Sequence, residues 1–198
     1  MGTALNPLQL QAALRQQPPA PVYLVAGEED LLRDEAVATL KAALLGEGGD
    51  FNFDVFYGDE AAGSDILTCA LEVPVFAECR VVLVKGAEKI SAREAEVLLP
   101  LKFSQALARA AVTVDCSPLR DMHLGPWINR DAQRLGLRLD EKAVEVLKET
   151  SGGSLYAVRR ELEKLASYIT TDRLATAADV YQLRGVEPGA SVFELTLA

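Results

Sequence analysis

The amino-acid sequence predicts an α/β fold, a layered domain built on a parallel sheet, followed by a small domain of helices. Two observations support this prediction. Apolar runs typical of strands alternate with segments of helical periodicity in the first part of the 198-residue chain. After about Trp127 these runs stop, and amphipathic segments replace them. The composition, 49% hydrophobic and 25% charged, is that of an ordinary globular protein.

The first elements are a short helix, a strand and a longer helix. Asn6 is a capping side chain before Pro7, so we expect a helix to begin there. Residues 22–26 are continuously apolar and rich in β-branched and aromatic side chains, which predicts a strand buried on both faces. Over residues 31–45 apolar side chains recur at helical spacing, and Gly46 marks the end of that helix.

Three more strands are expected further along the chain. Residues 51–57 alternate as a strand does, and residues 80–84 and 111–114 are apolar runs. Strands separated by helices indicate parallel pairing, because a helix returns the chain to the starting edge of the sheet.

The helices between these strands are predicted from their first residues. Ser64 is the expected N-cap of a helix that runs through Leu71. Ser91 and Glu94 have the spacing of a capping box before another apolar segment.

Three helices are expected in the second domain. Asp140 is the expected cap of a helix over residues 141–150, a second helix is expected over residues 155–169, and Thr176 with Asp179 begins the third. The predicted domains are residues 1–126, residues 127–187, and residues 188–198 as the start of a further domain.

Charge and composition exclude several classes of protein. With 20 basic and 29 acidic residues the net charge is −9, so direct binding to a nucleic acid is not favoured. No apolar run is long enough to span a membrane and no secretory pattern is present, so we expect a cytoplasmic protein without a membrane partner. Cys69, Cys79 and Cys116 have the spacing of neither a disulfide framework nor a zinc site.

The turn after the first strand is where an α/β nucleotide-binding protein carries its phosphate loop. Here the turn reads Gly27-Glu28-Glu29-Asp30, without the lysine and hydroxyl that hold phosphates. Lys85 and Gly86 stand where a metal-binding acidic pair would follow a later strand. His123 is more typical of a surface residue than of a base. We therefore predict no catalytic residue, cofactor or metal.

One apolar segment occurs where a connection should be polar. Val73, Pro74, Val75 and Phe76, here called the apolar tetrad, lie between a predicted helix and a predicted strand. Either Phe76 folds back into the core, which the residues alone slightly favour, or the tetrad is an exposed anchor for a partner protein.

The order and spacing of several motifs resemble the delta subunit of the bacterial DNA polymerase III clamp loader. Together they extend from about Pro21 to the end of the chain. They are Tyr23-Leu24-Val25-Ala26-Gly27-Glu28-Glu29, Phe51-Asn52, Val73-Pro74-Val75-Phe76, Arg80-Val81-Val82, Trp127-Ile128, Leu162-Glu163-Lys164-Leu165 and Ser191-Val192-Phe193-Glu194-Leu195.

The resemblance implies a degenerate AAA+ domain, with helices on both faces of its sheet and no ATP hydrolysis of its own, followed by a helical lid. It implies that residues 188–198 begin a collar domain that joins the other clamp-loader subunits of the polymerase holoenzyme. The residues matching Val73, Val75 and Phe76 would insert into the sliding clamp, with Pro74 between them, and favour opening of the ring. DNA would be a partner only within the assembled loader.

The chain departs from this family in two places. The family commonly has Leu-Phe where this chain has Val75-Phe76. Family members also carry another strand between the segments that here end at Leu101 and begin at Lys102, so that strand is either deleted or omitted. Two alternative functions remain open. One is an adaptor that uses the same tetrad to bind another protein, and the other is an ATPase with an unconventional phosphate site.

Overall fold

The computed structural model describes residues 4–46, 49–98, 111–169 and 173–184. The chain divides into two compact units, Met1–Ser117 and Pro118–Ala198. The sequence predicts a boundary after residue 126, but that position lies within a helix, Asp121–Arg134. This helix accommodates Pro126 and belongs to the second unit. Residues 188–198, the expected start of a third domain, lie outside the described residues.

The described part of the first unit contains five strands and four α-helices. In chain order they are β1 (Ala4–Leu5), α1 (Pro7–Gln16), β2 (Tyr23–Ala26), α2 (Asp30–Leu45), β3 (Phe53–Tyr57), α3 (Gly63–Leu71), β4 (Val81–Lys85), α4 (Ala92–Leu98) and β5 (Val112–Asp115).

The strand pairs among the described residues of this unit are all parallel, which confirms the predicted fold class. The strand order is β1-β5-β2 in one sheet and β3-β4 in the other. Tyr23 lies opposite Val112, and Phe53 lies opposite Val81. Within the described ranges β2 and β4 each pair along one edge only, and helix α2 contacts both strands. The expected additional strand between Leu101 and Lys102 falls outside those ranges.

Two predictions about these strands are wrong. Strand β2 is not buried on both faces, because its side chains alternate between half-buried and exposed and Leu24 is 55% exposed. Strand β3 is also shorter than predicted. It begins at Phe53, since Phe51 and Asn52 belong to a 3₁₀ turn, Gly49–Asn52.

The helix caps follow the sequence in part. Asn6 caps α1 as predicted. Ser64 does not cap α3, which begins one residue earlier. Instead the backbone N–H of Gly63 donates to Glu94 Oε2 of α4 at 2.7 Å, while the Glu94 N–H donates to Ser91 Oγ at 3.3 Å. The two helices lie so close that a Cβ on Gly63 would be 2.2 Å from the Glu94 carbonyl oxygen.

The second unit contains the three predicted helices and a further helix before them. Its described elements are α5 (Asp121–Arg134), β6 (Arg138–Leu139), α6 (Glu141–Thr150), α7 (Leu155–Tyr168), β7 (Leu174–Ala175) and α8 (Ala177–Arg184). The prediction that strands stop near Trp127 is wrong, because β6 and β7 pair in parallel. Each has only two residues, too few to produce a periodic pattern in the sequence.

A buried ion pair joins α5 to α7 in the core of this unit. The carboxylate of Asp131 accepts hydrogen bonds from Arg159 Nε at 2.9 Å and Nη2 at 2.8 Å. The same guanidinium lies 5.7 Å from the ring centre of the fully buried Trp127. The bidentate guanidinium compensates for removing the Asp131 carboxylate from water, and the aromatic face stabilises the guanidinium. None of the helices in the described ranges has the length and hydropathy needed to cross a membrane.

Candidate interaction loop and the nucleotide-type turn

The apolar tetrad lies in an irregular loop, residues 72–80, between α3 and β4. Val73 is 82% exposed, Val75 is 49% exposed, and Phe76 is fully exposed. The interpretation that places Phe76 in the core is therefore wrong. Pro74 is half-buried. A fully exposed aromatic ring beside two exposed valines is an unusual use of apolar surface, typical of a site that another molecule covers.

Charged side chains hold the base of the 72–80 loop. Arg80, whose side chain is 10% exposed, pairs with Glu72 at 3.2 Å and also with Asp54 of β3. Because Glu72 and Arg80 are the two ends of the loop, this ion pair closes it. Next to Arg80, the thiol of Cys79 donates to the Leu44 carbonyl of α2 at 3.5 Å. The loop is thus tied to both a strand and a helix of the first unit.

A buried asparagine holds the middle of the loop. The side-chain amide of Asn52 donates to the Val75 carbonyl at 2.8 Å, and its oxygen accepts from the Val75 N–H at 2.7 Å. Phe76, the next residue, has a φ of 56° and is the one non-glycine residue with positive φ among those described. Sequence reasoning singled out Asn52 only as part of a motif, since no local pattern links it to a residue 23 positions away.

The turn after β2, at the position where a nucleotide-binding protein carries its phosphate loop, is closely packed against the end of β5. Gly27 has a φ of 142°, and a Cβ there would lie 2.1 Å from the Cys116 carbonyl carbon. The backbone N–H of Glu29 donates to the Cys116 carbonyl at 3.0 Å. The Arg33 guanidinium binds both the Gly27 carbonyl and the Asp30 carboxylate. The pKa of the Glu29 carboxyl is raised, mainly because the group is partly buried.

The turn that follows β3 is similarly close to the end of β4. The Gly58 N–H donates to the Lys85 carbonyl at 2.9 Å, and a Cβ on Gly58 would lie 2.2 Å from the Gly86 carbonyl oxygen. His123 lies on the exposed side of α5. Over the parts of the chain that the structure describes, no three His, Cys, Asp or Glu side chains form a group able to hold a metal ion.

The fold is similar to that of several proteins of known structure, two of which are given below. The Bacillus subtilis DNA clamp loader delta protein superposes with a TM-score of 0.63 at 23% identity, over 89% of this chain and 62% of that one. The Thermotoga maritima RuvB Holliday junction branch migration motor superposes with a TM-score of 0.51 at 15% identity, over 94% of this chain and 70% of that one. The chain has an AAA+-like fold.

The matched region covers 62% of the Bacillus subtilis protein, so this chain spans less than two thirds of its length. No protein-family profile matches the sequence, and neither does any curated protein sequence.

Proposed function

We propose that the chain is a non-catalytic clamp-loader subunit that binds the sliding clamp of DNA polymerase III through Val73, Pro74, Val75 and Phe76. The observation that supports this most is the full exposure of Phe76 on a loop held at its base and its middle. The likeness in fold to a DNA clamp loader delta protein supports the choice of partner.

The chemistry of the loop fits insertion into an apolar pocket. Removing a phenylalanine and a valine side chain from water contributes several kcal/mol, and aromatic anchors of this kind dominate protein interfaces. Val75 in place of a leucine lowers the contribution slightly, by about one methylene group. In the proposed role the binding free energy of the loop is used to favour an open ring over a closed one, which requires tighter binding to the open form.

The other partners follow from the same proposal. The remaining clamp-loader subunits would bind through a collar of which residues 188–198 are the start. DNA would be contacted only within the assembled loader, in the cytoplasm.

Replacing Val75 and Phe76 together by alanine tests this proposal. Because both side chains are exposed, the melting temperature of the free protein should change little. The affinity for the sliding clamp of the same organism should fall at least a hundredfold, on the order of 3–5 kcal/mol. Binding is measured by calorimetry or surface plasmon resonance, and ring opening by release of closed clamps from circular DNA.

Met122→Ala is the matched control, since Met122 is an exposed apolar residue of the second unit. It should leave both measurements unchanged. Undiminished clamp binding by the double variant would contradict the proposal. If the wild-type protein does not bind the clamp but binds another protein through the same two residues, the adaptor hypothesis replaces the clamp-loader proposal.

A further inference from the structure

The side-chain amide of Asn52 makes two hydrogen bonds to the backbone of a single residue in the 72–80 loop. One hydrogen bond is donated to the Val75 carbonyl and one is accepted from the Val75 N–H, at 2.8 and 2.7 Å. This pair of bonds reproduces the exchange of two backbone bonds between neighbouring strands. Asn52 is 1% exposed, so a partner protein cannot reach it.

The bond to the carbonyl has a consequence for the following residue. The Val75 oxygen belongs to the peptide group that joins Val75 to Phe76, so holding that oxygen fixes the plane from which the φ of Phe76 is measured. A φ of 56° is unusual for an aromatic residue, because its Cβ crowds the neighbouring carbonyl oxygen. Such a conformation persists only where surrounding contacts impose it.

We propose that Asn52 is a positioning residue that holds Phe76 in its left-handed conformation, with the ring directed outward before any partner arrives. This inference rests on the proposed function of the loop as a docking site. A loop fixed in its bound conformation loses less entropy on association, and the observed affinity scales with the fraction of molecules already in that conformation. Asn52 thus raises affinity without contributing contact area.

Cleavage by chymotrypsin after Phe76 tests the positioning without any partner. A protease must draw the loop out of its folded conformation, so the cleavage rate reports how often the loop is released. Asn52→Asp keeps the size of the side chain and the acceptor for the Val75 N–H, but sets an oxygen against the Val75 carbonyl. We expect cleavage about 5-fold faster or more, and the same direction for Asn52→Ala, which removes both bonds.

The affinity for the sliding clamp is measured on the same variants, at a temperature below their melting transitions and per folded molecule. Asn52→Asp should bind about 10-fold more weakly than wild type. Glu94→Ala is the matched control, because it removes another bond from a side chain to a backbone N–H within the first unit. It should lower the melting temperature but leave the clamp affinity of the folded protein unchanged.

Three results would overturn the inference. They are an unchanged cleavage rate in both Asn52 variants, faster cleavage with unaltered clamp affinity, or an affinity loss equally large in Glu94→Ala. If the wild-type protein binds no clamp, the proposed function fails on its own. The cleavage rates then still decide whether Asn52 positions Phe76.

Discussion

Asp179 illustrates how one carboxylate can organise the start of a helix. Its Oδ2 accepts hydrogen bonds from the backbone N–H and the hydroxyl of Thr176, both at 2.8 Å. Both of its oxygens also accept from Arg173, at 2.8 Å. The hydrogen bond from Arg173 holds the pKa of this carboxyl well below its usual range, although burial opposes the shift. The ionised form is therefore part of the folded structure of the second unit.

Stability at acid pH should depend on this carboxylate. Since its pKa is lower in the folded than in the unfolded protein, its contribution is complete above the unfolded value of 3.8 and is lost as pH falls through the folded value. We expect Asp179→Asn to destabilise the second unit by about 1–3 kcal/mol at pH 7. The difference from wild type should shrink below about pH 4, as thermal melts between pH 7 and 2 would show.

Asp50→Asn is the control for this measurement. Asp50 also pairs with a cation, Lys41, and has a lowered pKa, but its side chain is 85% exposed and water screens the pair. It should change neither the stability at pH 7 nor its pH dependence. An equal effect of the two substitutions would show that burial of Asp179 is unimportant.

Helices α3 and α4 are joined at their first turns by one glutamate side chain. Glu94 lies in the first turn of α4, where its carboxylate is favourable to that helix. The same carboxylate supplies the acceptor for the first N–H of α3, at Gly63. One side chain thus stabilises the start of a neighbouring helix as well as its own.

Removing the Glu94 side chain should destabilise the first unit. With alanine the Gly63 N–H loses its acceptor in a half-buried position, and we expect a loss of about 1–2 kcal/mol. Differential scanning calorimetry measures it. Glu96→Ala, an exposed glutamate on the same helix, should have little effect. Equal destabilisation by both would indicate that helix propensity, rather than the bond to Gly63, is responsible.

The AAA+-like fold of this chain is combined with a turn poorly suited to phosphate. The Glu29 N–H is used by the Cys116 carbonyl, and Glu28, Glu29 and Asp30 would repel the oxygens of a triphosphate. We expect calorimetry with millimolar ATP and Mg²⁺ to show no saturable heat, alongside a P-loop protein that does. A micromolar dissociation constant would contradict the argument.

Much of the fold could be predicted because the relevant signals are local. The cap at Asn6, the helical spacing up to Gly46 and the apolar run of β4 each lie within a few neighbouring residues. Strands separated by helices then led to parallel pairing, which the registers confirm. Helix α5 was missed, and so were the three two-residue strands β1, β6 and β7, since strands this short give no periodicity.

Residues close together in the chain specify the α/β class, most helix limits and the position of an unusual apolar tetrad, so these could be predicted from the sequence. Long-range packing specifies that Phe76 is exposed, that Asn52 holds Val75, and that Glu94 caps a helix other than its own. Each of these depends on residues that are far apart in sequence. A backbone group can accept or donate a hydrogen bond whatever its side chain is, so the residue type at that position does not reveal the bond. Exposure likewise depends on which elements pack nearby, and only the folded chain specifies them.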